Sequence, residues 1–184
     1  ESGASYASQD VSSLYTTTLN TNPSLLTWTF NMQQSRSNPS GFGNGSYGVG
    51  VVLAGSDSNL TNGIGYAGVL GESGSTDDIR LVRFTSGLNG GTLTDIVADG
   101  TDYGTDHFSI GVTYNPTGDV WTLYVRDDGS SFADPSNVTS TTASGNASDN
   151  THTATPLDHF GAVWNHAEGI SDDAEFDNFS IPSA

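Results

Sequence analysis

The stretch Ile110–Arg126, IGVTYNPTGDVWTLYVR, decides the fold. Apolar residues alternate with small or polar ones on both sides of the turn cluster NPTGD, the pattern of two antiparallel strands joined in a hairpin. On the first arm Ile110, Val112 and Tyr114 share a face with Phe108 just upstream; on the second arm Trp121, Leu123 and Val125 share one. Paired across the turn, they make one apolar surface, which assigns Trp121 to a core. The opposite face sets Thr122, Tyr124 and Arg126 beside Ser109, Gly111 and Thr113, small residues that leave room for a ligand or for water.

The same reading extends along the chain. Strands are expected at 25–34, 47–54, 63–71, 79–85, 108–114, 120–126, 160–165 and 175–181, separated by turn residues at intervals typical of a sandwich. The chain has 184 residues and 23 glycines, with no Lys and few Glu, so the best helix formers are scarce and turn formers abundant. These features predict an all-β chain: one domain over 1–184, a two-sheet antiparallel β-sandwich of jelly-roll type. Residues 1–24 are expected to give a lead-in or outer strand with a helical turn near Val11 to Tyr15. Residues 128–155, almost wholly polar, are expected to form a long surface loop or a weak edge strand.

Four Arg against 21 acidic residues give a formal charge of −17. That field repels nucleic acid and anionic membrane surfaces, and it also repels an acidic polysaccharide unless bound calcium or an arginine cluster reverses the sign locally. A neutral glycan is easier to hold. The absence of cysteine excludes disulfides, thiol catalysis and thiolate metal sites. No apolar run approaches the length of a membrane span, so no membrane insertion is expected.

Three segments carry a family resemblance: GIGYAGVLGESGSTDDIRLVRF at 63–84, HFSIGVTYNPTGDVWTLYVRDDG at 107–129 and AEFDNFSI at 174–181. In this order they resemble the concanavalin A-like, laminin G-like jelly rolls of secreted bacterial proteins, over roughly residues 25 to 182. The resemblance implies the sandwich fold, a secreted or cell-surface bacterial location and a module of a larger chain. It leaves function open among lectins, binding modules, adhesion domains, hydrolases and lyases. It also implies a structural calcium tied to the last strand, with Asp177 as the metal ligand.

Hydrolases of this fold place paired carboxylates at period-two spacing on one strand. Glu1, Glu72, Glu168 and Glu175 stand in no such motif. Lyases of this fold use an arginine-rich strand with a Tyr/His pair; Arg80 and Arg83 in IRLVRF supply only the first part. The reading is therefore a non-catalytic carbohydrate-binding module, monomeric, with polysaccharide as partner. An adhesion or structural accessory module is the alternative from another class, and a lyase or hydrolase with a non-standard site the third.

Sugar sites combine an aromatic ring with side chains that bond hydroxyl pairs. Strand parity puts Trp28, Phe30 and Met32 on a core face and Asn31 and Gln33 opposite. In FGAVWNHAEG, Phe160, Ala162 and Trp164 share a face, and either face could be the inner one. The candidate sugar ligands are Asn31, Gln33, Arg80, Tyr124, Arg126, Trp164, Asn165 and His166, most of them expected on a concave sheet face.

Overall fold

A computed structural model describes residues 3–74, 76–89, 91–166 and 172–182. Its strands are β1 (Gly3–Asp10), β2 (Leu26–Gln34), β3 (Gly48–Gly55), β4 (Ile64–Leu70), β5 (Ile79–Thr85), β6 (Thr92–Ala98), β7 (His107–Asn115), β8 (Val120–Gly129), β9 (Gly145–Ser148), β10 (His159–His166) and β11 (Ala174–Ser180). The eight expected strands are β2 to β5, β7, β8, β10 and β11, each bounded within three residues of the expectation. β1 lies in the stretch 1–24 and β9 in the stretch 128–155, where an outer or weak edge strand is among the expectations; β6 is the addition, and all three are edge strands with little apolar side chain to bury.

Two antiparallel sheets face each other. One has six strands in the order β1-β10-β3-β4-β5-β6, the other five in the order β11-β2-β7-β8-β9. The hairpin β7–β8 pairs Tyr114 with Trp121, Val112 with Leu123 and Ile110 with Val125, the register that alternation requires. Its turn uses left-handed backbone at Gly118 and Asp119 (φ 89° and 51°), residues that tolerate it. The Asn115 side chain accepts the Thr117 N–H at 3.0 Å.

Trp121 has no exposed surface and sits at the centre of the core. Its ring stacks on Tyr66 of the facing sheet at 4.3 Å and on Trp28 of its own sheet at 6.0 Å. Its indole N–H donates to the Asp149 carbonyl at 3.1 Å, which meets the one polar demand of a buried tryptophan. The Asp149 carboxylate also accepts the Tyr66 hydroxyl at 2.9 Å and pairs with Arg83, so one residue of the 128–155 stretch ties both sheets together.

The six-stranded sheet is apolar on both faces. Outside the sandwich, Val52, Ala67, Val69, Val82, Phe84 and Val163 form a second buried cluster, roofed by Leu60 and Leu88 from the loops after β3 and β5. This explains the unbroken apolar run of β3, GVGVVLAG, buried at every position. Val11, Tyr15 and Leu19, in the segment leading from β1, close one end of the main core. Around Val11 to Tyr15 the chain makes turns rather than a helix, and a short 3-10 helix follows at Leu19–Thr21.

Candidate functional site

The outer face of the five-stranded sheet, where Asn31, Gln33, Tyr124 and Arg126 lie, is occupied by the chain itself. The segment after β8 crosses it through a 3-10 helix at Pro135–Ser140, and Val138 from that helix is fully buried. It fills the space above Gly111: a Cβ on Gly111 would come within 2.7 Å of Val138 Cγ1 and 2.8 Å of Thr139 Cγ2. The small residues of β7 therefore make room for neither ligand nor water but for this loop.

Asn31 and Arg126 anchor it, while Gln33 bonds a different loop. Asn31 is fully buried; its amide nitrogen donates to the Phe108 carbonyl (3.2 Å), to Ser109 Oγ (3.0 Å) and to the loop carbonyl of Ala133 (3.1 Å), while its oxygen accepts from Asn178 at 2.8 Å. Gln33 donates to the carbonyls of Gln34 and Thr105 at 2.9 and 3.1 Å. Arg126 bonds Asp128 (2.6 Å), Asn137 (2.8 Å), Ser109 (2.7 Å) and the Asp134 carbonyl (3.0 Å). Burial works to raise the Asp128 carboxyl, but hydrogen bonds from Arg126, Ser109 and the Ala133 N–H outweigh it and hold the carboxyl below its ordinary range. Tyr124, half-buried, lies beside Gly111 under the same loop.

Arg80 and Asn165 lie elsewhere, on the outer side of the six-stranded sheet. Arg80 is buried among carboxylates: its guanidinium meets Asp95 at 2.8 Å, Glu72 at 3.2 Å and Asp78 at 3.5 Å, and donates to the Gly71 carbonyl at 2.9 Å. It borders a polar hollow with Ser40, Phe42 and Ser46, yet both of its terminal nitrogens are already engaged, by Asp95 and by the Gly71 carbonyl. Asn165 is fully buried and directs its amide nitrogen at the carbonyls of Gly41, Gly43 and Ser46, each at 3.0 Å, fixing the turn before β3.

Trp164 faces the opposite way. Phe160, Ala162 and Trp164 lie on the inner face of β10, but β10 is next to the edge of its sheet, and only β1 lies beyond it. Here the sandwich is open between β1 of one sheet and β11 of the other. Two adjoining hollows of about 280 Å³ and 210 Å³ run along the opening and share Ala7 and Ala162, which are register partners. Phe160 and Phe179 border the first; Trp164 and Phe176 border the second. From Phe160 to Trp164 the trough follows four residues of strand, roughly 13 Å.

A bulge builds its second wall. Phe176 and Phe179 are three apart in β11, so a regular strand would send them to opposite faces. The register shifts between Asp177 and Ser180, with Asn178 in left-handed backbone at φ 51°, and this returns Phe179 to the side of Phe176. Phe179 then meets Phe160 edge to face at 5.4 Å while keeping 42% of its surface exposed. The Asp177 carboxylate accepts the Asn178 N–H at 2.8 Å and so caps the bulge. Asp177 is otherwise exposed, and among the described residues no group of three or more acidic or histidine side chains gathers to hold a metal.

Polar groups stand at the rim. His166 lies against the Trp164 ring at 4.6 Å, and its Nε2 is 3.2 Å from Ser5 Oγ. Gln9 flanks the Phe160 end. No charged side chain among the described residues lines either hollow. Trp164 and His166 are thus the expected residues that the structure brings together. Phe176, Phe179 and the β1 residues went unread in the sequence, although an Asn in AEFDNFSI, between two aromatic residues, is the signal of a bulge.

The sequence matches no protein-family model and no curated protein. In structure it is similar to lectin II from Ulex europaeus, with a TM-score of 0.55 at 10% identity over 96% of this chain and 80% of that one. It is also similar to peanut lectin crystallised with a nine-residue peptide, with a TM-score of 0.50 at 9% identity over 96% of this chain and 78% of that one. At such identities the likeness is one of fold: the chain is a two-sheet antiparallel sandwich, a concanavalin A-like jelly roll.

Proposed function

We propose that this chain is a non-catalytic carbohydrate-binding module of a secreted protein, and that it holds a neutral polysaccharide in the trough between β1, β10 and β11. The observation that carries the reading is the set of aromatic rings along the open sandwich edge: Phe179 is exposed, Trp164 and Phe176 are partly buried, and all three border the adjoining hollows, the first of which also has the buried Phe160 in its lining. The exposed Phe179 and the partly exposed Trp164 and Phe176 offer ring area to the apolar faces of sugars, and at the rim stand Ser5 and His166, hydrogen-bonded to one another, and Gln9, which donates to the Asp10 carbonyl and keeps its amide oxygen as an acceptor. A trough open at the surface suits a linear chain and a modest, wet affinity. The net charge of −17 and the uncharged lining favour a neutral glycan over a uronate or sulfated one.

The closed outer face of the five-stranded sheet favours one alternative, an adhesion or accessory module with no sugar site of its own. A glycan array separates the two. Binding of neutral glycans, lost in Trp164→Ala, supports the module; silence across the array supports the accessory role. The calcium component rests on Asp177 alone and is tested by melting with and without chelator, where a lowered midpoint in chelator supports a structural ion.

A further inference from the structure

Asn31 lines neither hollow of the trough, yet it is bonded to the bulge that builds the trough's second wall. It is fully buried on the outer face of β2, and its amide nitrogen is surrounded by the carbonyls of Phe108 and Ala133 and by Ser109 Oγ. Carbonyls only accept, so the nitrogen must stand on that side and the oxygen on the other. There the oxygen can take only a donor, and the Asn178 amide supplies one at 2.8 Å. An aspartate at 178 would set oxygen against oxygen.

Asn178 is the extra residue of the bulge. From Asp177 to Ser180 β11 advances three residues while β2 advances two, from Asn31 to Thr29, and Asn178 takes up the surplus in left-handed backbone at φ 51°. Such backbone is uncommon in a residue with a side chain, and here it is held by two bonds: the Asp177 carboxylate takes the Asn178 N–H, and Asn31 takes its side chain. The next residue is Phe179, whose ring lies 6.5 Å from Phe30 and 5.4 Å from Phe160.

We propose that Asn31 is a positioning residue of the trough: through Asn178 it sets the bulge of β11, and so the direction of the Phe179 ring, from the opposite face of the sheet. The Phe108 carbonyl belongs to β7, so Asn31 keeps its orientation independently of the loop that crosses this face. The consequence for binding rests on the glycan-binding reading of the trough; the placement of the ring does not.

Asn31→Ala would strand two buried carbonyls and test stability first, so the bond is cut from the other side. Asn178→Gly keeps the left-handed backbone and removes the donor; Asn178→Asp keeps the shape and replaces the donor with an acceptor. Nuclear magnetic resonance reads the contact between the Phe179 and Phe160 ring protons, which a bond serving stability alone would leave in place when cut. Titration with xylan, glucomannan, mixed-linkage β-glucan and amylose reads the affinity, with Phe179→Ala, which removes the ring outright, as the bound on the loss. The expected result is loss of the ring contact in both variants, with affinity lower than the parent's by roughly threefold or more on each polysaccharide the parent binds, the worth of one hydrogen bond. A ring contact that persists in either variant overturns the inference. So does a lost contact with unchanged affinity, and both outcomes leave the module reading standing. Silence of the parent on every polysaccharide overturns the module reading and, with it, the assignment of Asn31 to a binding site.

Discussion

Gly111 and Val138 occupy one another's space: the missing side chain of Gly111 on β7 is the seat of the Val138 side chain from the loop that crosses the sheet. Gly111 is in ordinary extended backbone, so the requirement is steric. Gly111→Ala should therefore destabilise the chain by about 1–3 kcal/mol through overpacking. Gly111→Ala with Val138→Ala should recover part of the loss, because the second change removes the atom the first one meets. Denaturant titration of the two single variants and the double checks this; strict additivity would show that the two residues are uncoupled.

Trp121 serves the core through both its ring and its N–H. In Trp121→Phe the Asp149 carbonyl loses its donor and a small void opens beside Tyr66, together costing about 2 kcal/mol. Equilibrium unfolding measures the loss, and glycan binding should be unchanged, since Trp121 is sealed from solvent.

Low pH should weaken the same end of the sandwich. His152 is 7% exposed, and its Nε2 has no partner. Burial, with a smaller push from Arg83 and against the pull of Asp149, holds its pKa below the ordinary 6.5. The folded chain thus keeps His152 neutral where the unfolded chain takes up a proton. This contribution to stability is whole above about pH 6.5 and declines as pH falls below it toward the folded value. Melting midpoints between pH 7.5 and 5 should fall less in His152→Gln than in the parent; parallel curves would remove His152 from the account.

Asp177 is predicted to matter through the bulge. Asp177→Ala removes the cap on the Asn178 N–H and loosens Phe179, so it should lower stability by about 1 kcal/mol and weaken glycan binding. Asp177→Asn, which keeps an acceptor oxygen, should restore both. Binding that is lost equally in Asp177→Asn and in chelator would mark the carboxylate as a metal ligand instead.

The fold was legible because alternation and turn chemistry agree wherever a strand has one buried face, as in β2, β7 and β8. The two-sided burial of β3, β4 and β5 was legible too, as short apolar runs between turns; legibility failed at the exposed edge and in the loop, where few apolar side chains are buried. Thr92–Ala98 carries Asp95 in mid-strand because that carboxylate pairs with Arg80, so the segment lacks an apolar signature. The 128–155 stretch reads as polar, yet Val138 and the Asp149 carbonyl are among its buried groups, and single buried atoms leave no periodic trace. Parity told which residues share the outer face of β2, β7 and β8, but it could not tell that Asn31 and Arg126 meet a loop rather than a ligand. Trp164 was ambiguous for a related reason: its face is the inner one, and its exposure depends on where the opposing sheet ends.

The most direct test of the trough is the affinity of a neutral polysaccharide for Trp164→Ala and for Arg126→Ala, measured side by side with the parent chain. Trp164 borders the trough, and Arg126 anchors the loop over the closed face. The predicted result is a loss of about tenfold or more in Trp164→Ala, the worth of one stacking ring at about 1.4 kcal/mol, with Arg126→Ala binding as the parent does. Binding that survives in Trp164→Ala and disappears in Arg126→Ala would contradict the account and return the site to the outer face of the five-stranded sheet.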